Sequence, residues 1–217
     1  MRDSGMSERV SFKPGNMLYP LPAVMVSCGE YGSETDIITI AWTGTVCSDP
    51  PMVYISVRPE RHSFPLIRRT GEFVINLVTE DLTRAMDYCG VRSGKDRDKW
   101  KDCHLTPLPA ETVRCPFIAE SPVNIECKVI SETDLGTHHM FLARVTAVKA
   151  DKAYMDKSGR FDLNAAHLLA YSHGTYYGLG KKLGSFGYSV KKPAAEKDGK
   201  RKTGKSGRRK PALREDR

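Results

Sequence analysis

The sequence predicts a mainly β domain, a Greek-key or split β-barrel with a few short helices. Three observations carry that expectation. Six short runs are rich in β-branched and other apolar side chains, most connections between them are brief and built on Gly, Pro, Asp and Ser, and no regular strand–helix–strand rhythm recurs. Short antiparallel strands that cannot form a doubly wound sheet are most readily accommodated in a barrel.

The elements follow in chain order. Val24-Met25-Val26-Ser27-Cys28 is a compact apolar run. Asp36 to Trp42 follows it after the turn-like Gly29-Glu30-Tyr31-Gly32-Ser33, so the pair is expected to form a hairpin. Asp49-Pro50-Pro51 cannot be helical, because each proline restricts its own residue and the one before it. Met52 to Val57 then alternates and predicts a third strand. Ser63 can cap a short helix over 64–69, with Pro65 in its first turn and Gly71 just past its end. Phe73 to Val78 reads as a fourth strand. Asp81 to Tyr88 and Lys95 to Trp100 carry helix-like composition with Gly90 and Gly94 as breaks, which predicts a helical excursion. Pro122 to Ser131 and Met140 to Ala150 are two further long strands. Gly178-Leu-Gly180-Lys-Lys-Leu-Gly184 is one residue too long for a dinucleotide fingerprint and has no strand leading into it, so it is expected to be a turn-rich segment packing on the barrel.

With 217 residues, 40% apolar and 28% charged, the chain has the size and composition of one globular domain. Collagen-like, wholly disordered and disulfide-packed chains are excluded. The formal charge of +8 invites nucleic acid, a membrane surface or an anionic ligand. Its location decides its meaning. Residues 191–217 hold 12 Lys or Arg against 4 Asp or Glu, which leaves 22 of each sign in residues 1–190. The expected organisation is a flexible N-terminus (1–11), one folded domain (12–190) and a disordered basic tail (191–217), since the tail has almost no large apolar side chain to offset its ordering entropy. The tail makes a nucleic-acid-associated protein a rival reading. It also contains Gly199-Lys-Arg-Lys-Thr-Gly204-Lys205-Ser206, which matches a phosphate-loop pattern but lacks the buried strand before it and the amphipathic helix after it that such a loop needs. No run approaches the roughly twenty apolar residues of a membrane span. The first sixteen residues lack the apolar centre of a secretory signal, so a cytoplasmic protein is expected. The six cysteines are then reduced, and with no Cys-x-x-Cys pair or zinc-finger spacing no metal site is expected.

Three constellations can carry chemistry, and each has a plain structural alternative. The strand Asp36 to Trp42 runs into Thr43-Gly44-Thr45-Val46-Cys47-Ser48-Asp49-Pro50-Pro51, which can present backbone polar groups and a tryptophan to a flat heteroaromatic ring. Its alternative is a strand end with Trp42 in the core. Arg58-Pro-Glu-Arg61-His62-Ser63 offers charge, a hydroxyl and first-turn amides to a phosphate, or is an ordinary helix cap with Arg61 in water. In Gly136-Thr137-His138-His139 a histidine either contacts a redox cofactor or simply caps a turn.

The order of these pieces resembles the flavin reductase-like family, the FMN-binding split barrels that include flavoredoxins. The resemblance spans roughly residues 12 to 190. It rests on Thr39-Ile-Ala-Trp42 with Ser48-Asp-Pro-Pro51, on Arg61-His-Ser63 before Gly71-Glu-Phe-Val-Ile-Asn76, and on Ser93-Gly-Lys-Asp-Arg-Asp-Lys99-Trp100. It continues through Ser121-Pro-Val-Asn-Ile-Glu-Cys-Lys128, Gly136-Thr-His138 and the closing run from Tyr176 to Tyr188, which points to the flavoredoxin-like branch.

The resemblance implies FMN as cofactor, with the isoalloxazine ring against Thr39, Ala41, Trp42 and Thr43 and the phosphate near Arg61, Ser63 and Lys99. It implies that His138 lies near the flavin and the nicotinamide approach, with Thr137 where the family carries an acidic residue, and that Tyr171 covers the ring. Asp36 stands where similar members often have Asn. The implied activity is hydride transfer from NADH or NADPH to flavin, with electrons passed to an acceptor, in a homodimer. A flavoredoxin-type electron carrier without its own NAD(P)H site is the alternative. A cofactor that performs the redox chemistry accounts for the lack of an acid–base triad in the sequence.

Overall fold

A computed structural model describes residues 7–191. The strands and helices run β1 (Leu21–Pro22), β2 (Val24–Gly29), β3 (Thr35–Ile40), β4 (Thr43–Ser48), β5 (Pro51–Val57), α1 (Ser63–Thr70), β6 (Glu72–Asn76), α2 (Thr83–Val91) and α3 (Lys99–Asp102). They continue as β7 (Pro107–Pro109), β8 (Pro116–Ile118), β9 (Val123–Asp134), β10 (His139–Ala150), β11 (Leu169–Ser172) and β12 (Thr175–Gly178). The chain divides into two compact units, Met1–Gly180, which holds all of these elements, and Lys181–Arg217, whose described part ends in a 3-10 turn at Tyr188–Val190. The expected disordered tail, apart from Lys191, and the phosphate-loop match at 199–206 lie outside the described residues.

Seven strands form one antiparallel sheet in the order β3-β2-β6-β9-β10-β5-β4. Its two edge strands are consecutive in the chain. Ile40 ends β3, Thr43 starts β4, and only Ala41 and Trp42 lie between them. A flat sheet of this order would put its edges about 29 Å apart at about 4.8 Å per strand gap. Three Cα steps reach about 11 Å at most. The sheet must therefore roll until its edges meet, which makes it a barrel. The Ser56 amide donates to the Trp42 carbonyl at 2.9 Å, which extends the β4–β5 ladder into the connection between the two edges. β1, β11 and β12 form a small separate sheet, and β7 pairs with β8.

β2 is buried on both faces, and its period of two divides the core. Val24, Val26 and Cys28 point into the barrel with Ile38, Ile55, Phe73, Phe141 and the α1 residues Phe64, Leu66 and Ile67. Ala23 and Met25 point outward to Met86 and Cys89 of α2, Leu105, Ile118 and Leu169. Thus α1 packs its apolar face into the barrel core, while α2 and the small sheet cover the outer face of β2 and β3.

The expected strands and the helix at 64–69 are present, with shifted ends. β4 was not expected. The hydroxyl of Ser63 is not an N-cap: His62 is the cap residue and makes no side-chain cap bond, and Ser63 is the first helical residue. Gly71 ends α1 in the left-handed region at φ 66°, as its position predicts. Gly90 does not break a helix but lies inside α2, where an added Cβ would come 3.1 Å from Thr39 Cβ. A strand, β12, does lead into Gly178, contrary to the reading of that segment.

Glu126 in β9 is fully buried as a carboxylate. It accepts from the amides of Glu111 at 2.9 Å and Thr112 at 2.6 Å and from the Thr112 hydroxyl at 2.7 Å. Burial alone would raise its pKa. The donors, led by the Glu111 amide, outweigh burial and hold the pKa below the ordinary glutamate value. A pKa lower in the folded than in the unfolded state gives stability that is present above the unfolded value and is lost as pH falls through the folded one. Glu126→Gln is expected to cost about 1.5–3 kcal/mol at pH 7. Urea midpoints measured from pH 7 to pH 3 should converge for the two proteins as acid removes the wild-type advantage.

Candidate functional site

Two adjoining cavities open where the barrel seam meets the helical excursion. The first, about 430 Å³, is lined by Arg58, Glu60, Arg61, His62, Arg92, Ser93, Gly94 and Lys99, with Ile38 and Cys89 behind them. The second, about 410 Å³, is walled by the end of β3 and the seam (Thr39, Ile40, Ala41, Trp42), by Ser56 and Val57, and by Asp87, Gly90, Val91, His138, Tyr171 and Tyr176. Ile38, Arg58 and Arg61 belong to both, so the cavities meet at an arginine pair.

Each wall has a local cause. β3 ends at Ile40 because the chain must cross the seam, and that crossing leaves Trp42 39% exposed instead of buried. Its ring stacks on His138 with centroids 6.1 Å apart and planes 18° from parallel. His138 comes from the tight β9–β10 connection, and its Nδ1 shares a hydrogen bond with the Thr137 hydroxyl at 3.0 Å. Thr137 therefore anchors the imidazole. Burial, then Arg58, push the His138 pKa below its ordinary value, so the ring is neutral at pH 7. On the opposite wall the Tyr176 hydroxyl donates to Asp87 Oδ1 at 2.8 Å. Burial, followed by that bond, pushes the tyrosine up to about 12. Tyr171 packs beside it at 5.8 Å between centroids.

Arg61 projects from the turn before α1 and donates Nη1 to the Gly90 carbonyl at 3.3 Å. Arg58 lies 3.5 Å from Glu60 in an exposed pair. Arg92 follows directly on the C-terminus of α2. The first cavity thus collects cations from three parts of the chain, and the second offers a slot with aromatic, backbone and small side-chain walls.

The sequence-predicted residues fall into two groups. Thr39, Ala41, Trp42, Arg61, His138 and Tyr171 line the second cavity, and Arg61 and Lys99 line the first. Thr43 and Ser63 line neither. The Thr43 hydroxyl donates to the Tyr54 carbonyl at 2.6 Å, and the buried Ser63 hydroxyl donates to Asp36 Oδ2 at 2.5 Å. Thr39 keeps its place on the wall while its hydroxyl donates to the Met86 carbonyl. Sequence reasoning missed Arg92, Asp87 and Tyr176 and gave Arg58 no role. Arg92 had one readable signal, a cation beside Ser93-Gly94 at the end of a helical run.

The flavin reductase like domain model matches residues 17–180. The chain belongs to the flavin reductase-like family. This family member is 33% identical over 131 residues to a protein of Pyrococcus abyssi, covering 60% of this chain and 74% of the relative. It is 26% identical over 148 residues to the reductase component of a 4-nitrophenol 4-monooxygenase/4-nitrocatechol 2-monooxygenase from Rhodococcus opacus, covering 62% and 76% of the two chains. Its structure superposes on flavoredoxin of Desulfovibrio vulgaris (Miyazaki F) with a TM-score of 0.78 and 29% identity, covering 85% of this chain and all of that one. The split-barrel fold expected from the sequence is therefore established. Among the described residues no helix is long and apolar enough to cross a membrane, and no His, Cys, Asp and Glu cluster could hold a metal.

Proposed function

We propose that this protein is an FMN-dependent oxidoreductase that accepts hydride from NADH or NADPH and passes the electrons on. The observation that carries this reading is the junction of an arginine-lined cavity with a flat-walled slot at Arg58 and Arg61. One phosphate and one planar ring joined by a polyol linker match that pair of spaces. Arg61 and Arg92 would hold the phosphate, which carries a charge of about −1.5 to −2 at pH 7. Trp42, Ala41 and Tyr171 would flank the ring, and Asp87 with Tyr176 would face its polar linker or edge. Bound FMN would supply the hydride-accepting centre and the means of dividing an electron pair. His138, neutral at pH 7, stands beside Trp42 on the exposed side of the slot, where a nicotinamide would approach. Its neutrality adds no further charge beside Arg58 and Arg61, and its stack on Trp42 shapes the entrance. The likeness to flavoredoxin supports a second reading, an electron carrier reduced by a protein partner.

Anaerobic mixing of the FMN-loaded protein with NADH or NADPH separates the two. Loss of the oxidised flavin absorbance within seconds is expected for the first reading. FMN binding without reduction by either nucleotide would leave the carrier, and failure to bind FMN at all would remove both.

A further inference from the structure

Beneath the arginine-lined cavity lies a buried ion pair that the flavin reading leaves unused. Lys99 Nζ stands 3.0 Å from Asp36 Oδ1 and donates to the Ile37 carbonyl at 2.6 Å. Asp36 Oδ2 accepts the Ser63 hydroxyl at 2.5 Å. The two charged side chains are only 3% and 2% exposed. Gly94 roofs the carboxylate so closely that a Cβ there would fall 2.2 Å from Oδ1. Lys99 nevertheless forms part of the cavity wall. Asp36 does not line the cavity but lies 3.0 Å behind the ammonium, so its negative charge offsets the positive one that the cavity meets.

That offset sets the charge that a ligand meets. Arg58, Arg61 and Arg92 against Glu60 leave two net positive charges once Lys99 is cancelled by Asp36. Without the Asp36 carboxylate there would be three, the third in a poorly solvated place where Coulomb interactions are strong.

We propose that Asp36 is a specificity-determining residue of the phosphate cavity: it neutralises Lys99 and so lowers the affinity for the phosphate end of the ligand. This rests on the FMN reading of the site and deepens it. The cavity recognises a phosphomonoester with arginines at its rim and withholds the cation at its base. A flavin phosphate held in this way exchanges faster than the number of nearby cations suggests.

Fluorescence-quenching titrations of the full-length apoprotein with FMN and with riboflavin test this for wild type, Asp36→Asn, Lys99→Gln and the double variant. Asp36→Asn should tighten FMN about tenfold, a modest estimate for one unit charge at this depth, and leave riboflavin within about twofold. Lys99→Gln leaves an uncompensated carboxylate and should weaken FMN about tenfold. The double variant should lie within about threefold of wild type, as a cancelled pair requires. Where a single variant does not fold, the double variant, which leaves no unpaired buried charge, carries the test through its FMN-to-riboflavin affinity ratio, expected within about threefold of wild type. A double variant as weak as Lys99→Gln, or an FMN-to-riboflavin ratio unmoved by Asp36→Asn, would overturn the proposal while leaving the flavin reading intact. Wild-type protein that binds neither flavin overturns the flavin reading and this proposal with it.

Discussion

Arg61→Ala is expected to weaken FMN binding by about 10- to 150-fold, the effect of losing one or two charge-assisted hydrogen bonds to a phosphate. Arg61 is the side chain common to both cavities whose guanidinium is already oriented by a bond to the Gly90 carbonyl. That bond removes part of the conformational freedom it would lose when an anion arrives. Arg58, by contrast, has Glu60 beside it and would first give up that exposed pair. Riboflavin has no phosphate, so its affinity should fall several-fold less. Parallel titrations with the two flavins provide the check. Equal losses for both would place Arg61 against the ring and not the phosphate.

Gly94→Ala should be the most damaging small substitution near the site. Its Cβ would meet Asp36 Oδ1 at 2.2 Å, Asp36 Cγ at 2.5 Å and His62 Cδ2 at 2.8 Å. The carboxylate cannot swing away, because Lys99 and Ser63 hold both of its oxygens in a buried place. Relief requires moving the loop after α2 or breaking the ion pair, and breaking a buried pair costs about 3–5 kcal/mol. A fall in melting temperature of about 6–15 °C is expected for a chain of this size, together with loss of FMN affinity through the displaced Arg92-Ser93-Gly94 wall. Gly178→Ala is the matched control. Its Cβ would lie 2.0 Å from Glu80 Oε1, but that atom ends an exposed, flexible side chain. Thermal unfolding should show a shift several-fold smaller. Similar shifts for the two variants would mean that the Asp36 carboxylate is not fixed.

Most of the barrel was legible because its inner strands announce themselves. β2, β5, β9 and β10 carry β-branched runs bounded by turn residues, and the family motifs fall on the barrel in the expected order. β4 was not legible. Thr43-Gly44-Thr45-Val46-Cys47-Ser48 has neither alternation nor bulk, and it is a strand because β5 pairs with it and because Tyr54 lies against Gly44. The ring side of the site could be read because Ala41 and Trp42 sit in a recognisable run. The phosphate side could not be read in full. Ser63 looked like a helix cap, and its hydroxyl instead serves Asp36, 27 residues away. Lys99 reads as a free cation in sequence, and only the folded chain brings Asp36 to it. Arg92, Asp87 and Tyr176 follow no periodic pattern. Their place on the walls depends on how α2 and the small sheet pack on β3.

The two residues that close the barrel, Ala41 and Trp42, also form a wall of the slot. A molecule lodged there touches β3, the two-residue crossing and the end of β5, and so acts as a latch across the join. Its binding energy is thereby added to the cohesion of the seam, since a ligand that binds only the closed form favours closure by mass action. Local parting of β3 from the end of β5 and escape of the ligand become one event, so the lifetime of the bound cofactor measures how often the barrel breathes.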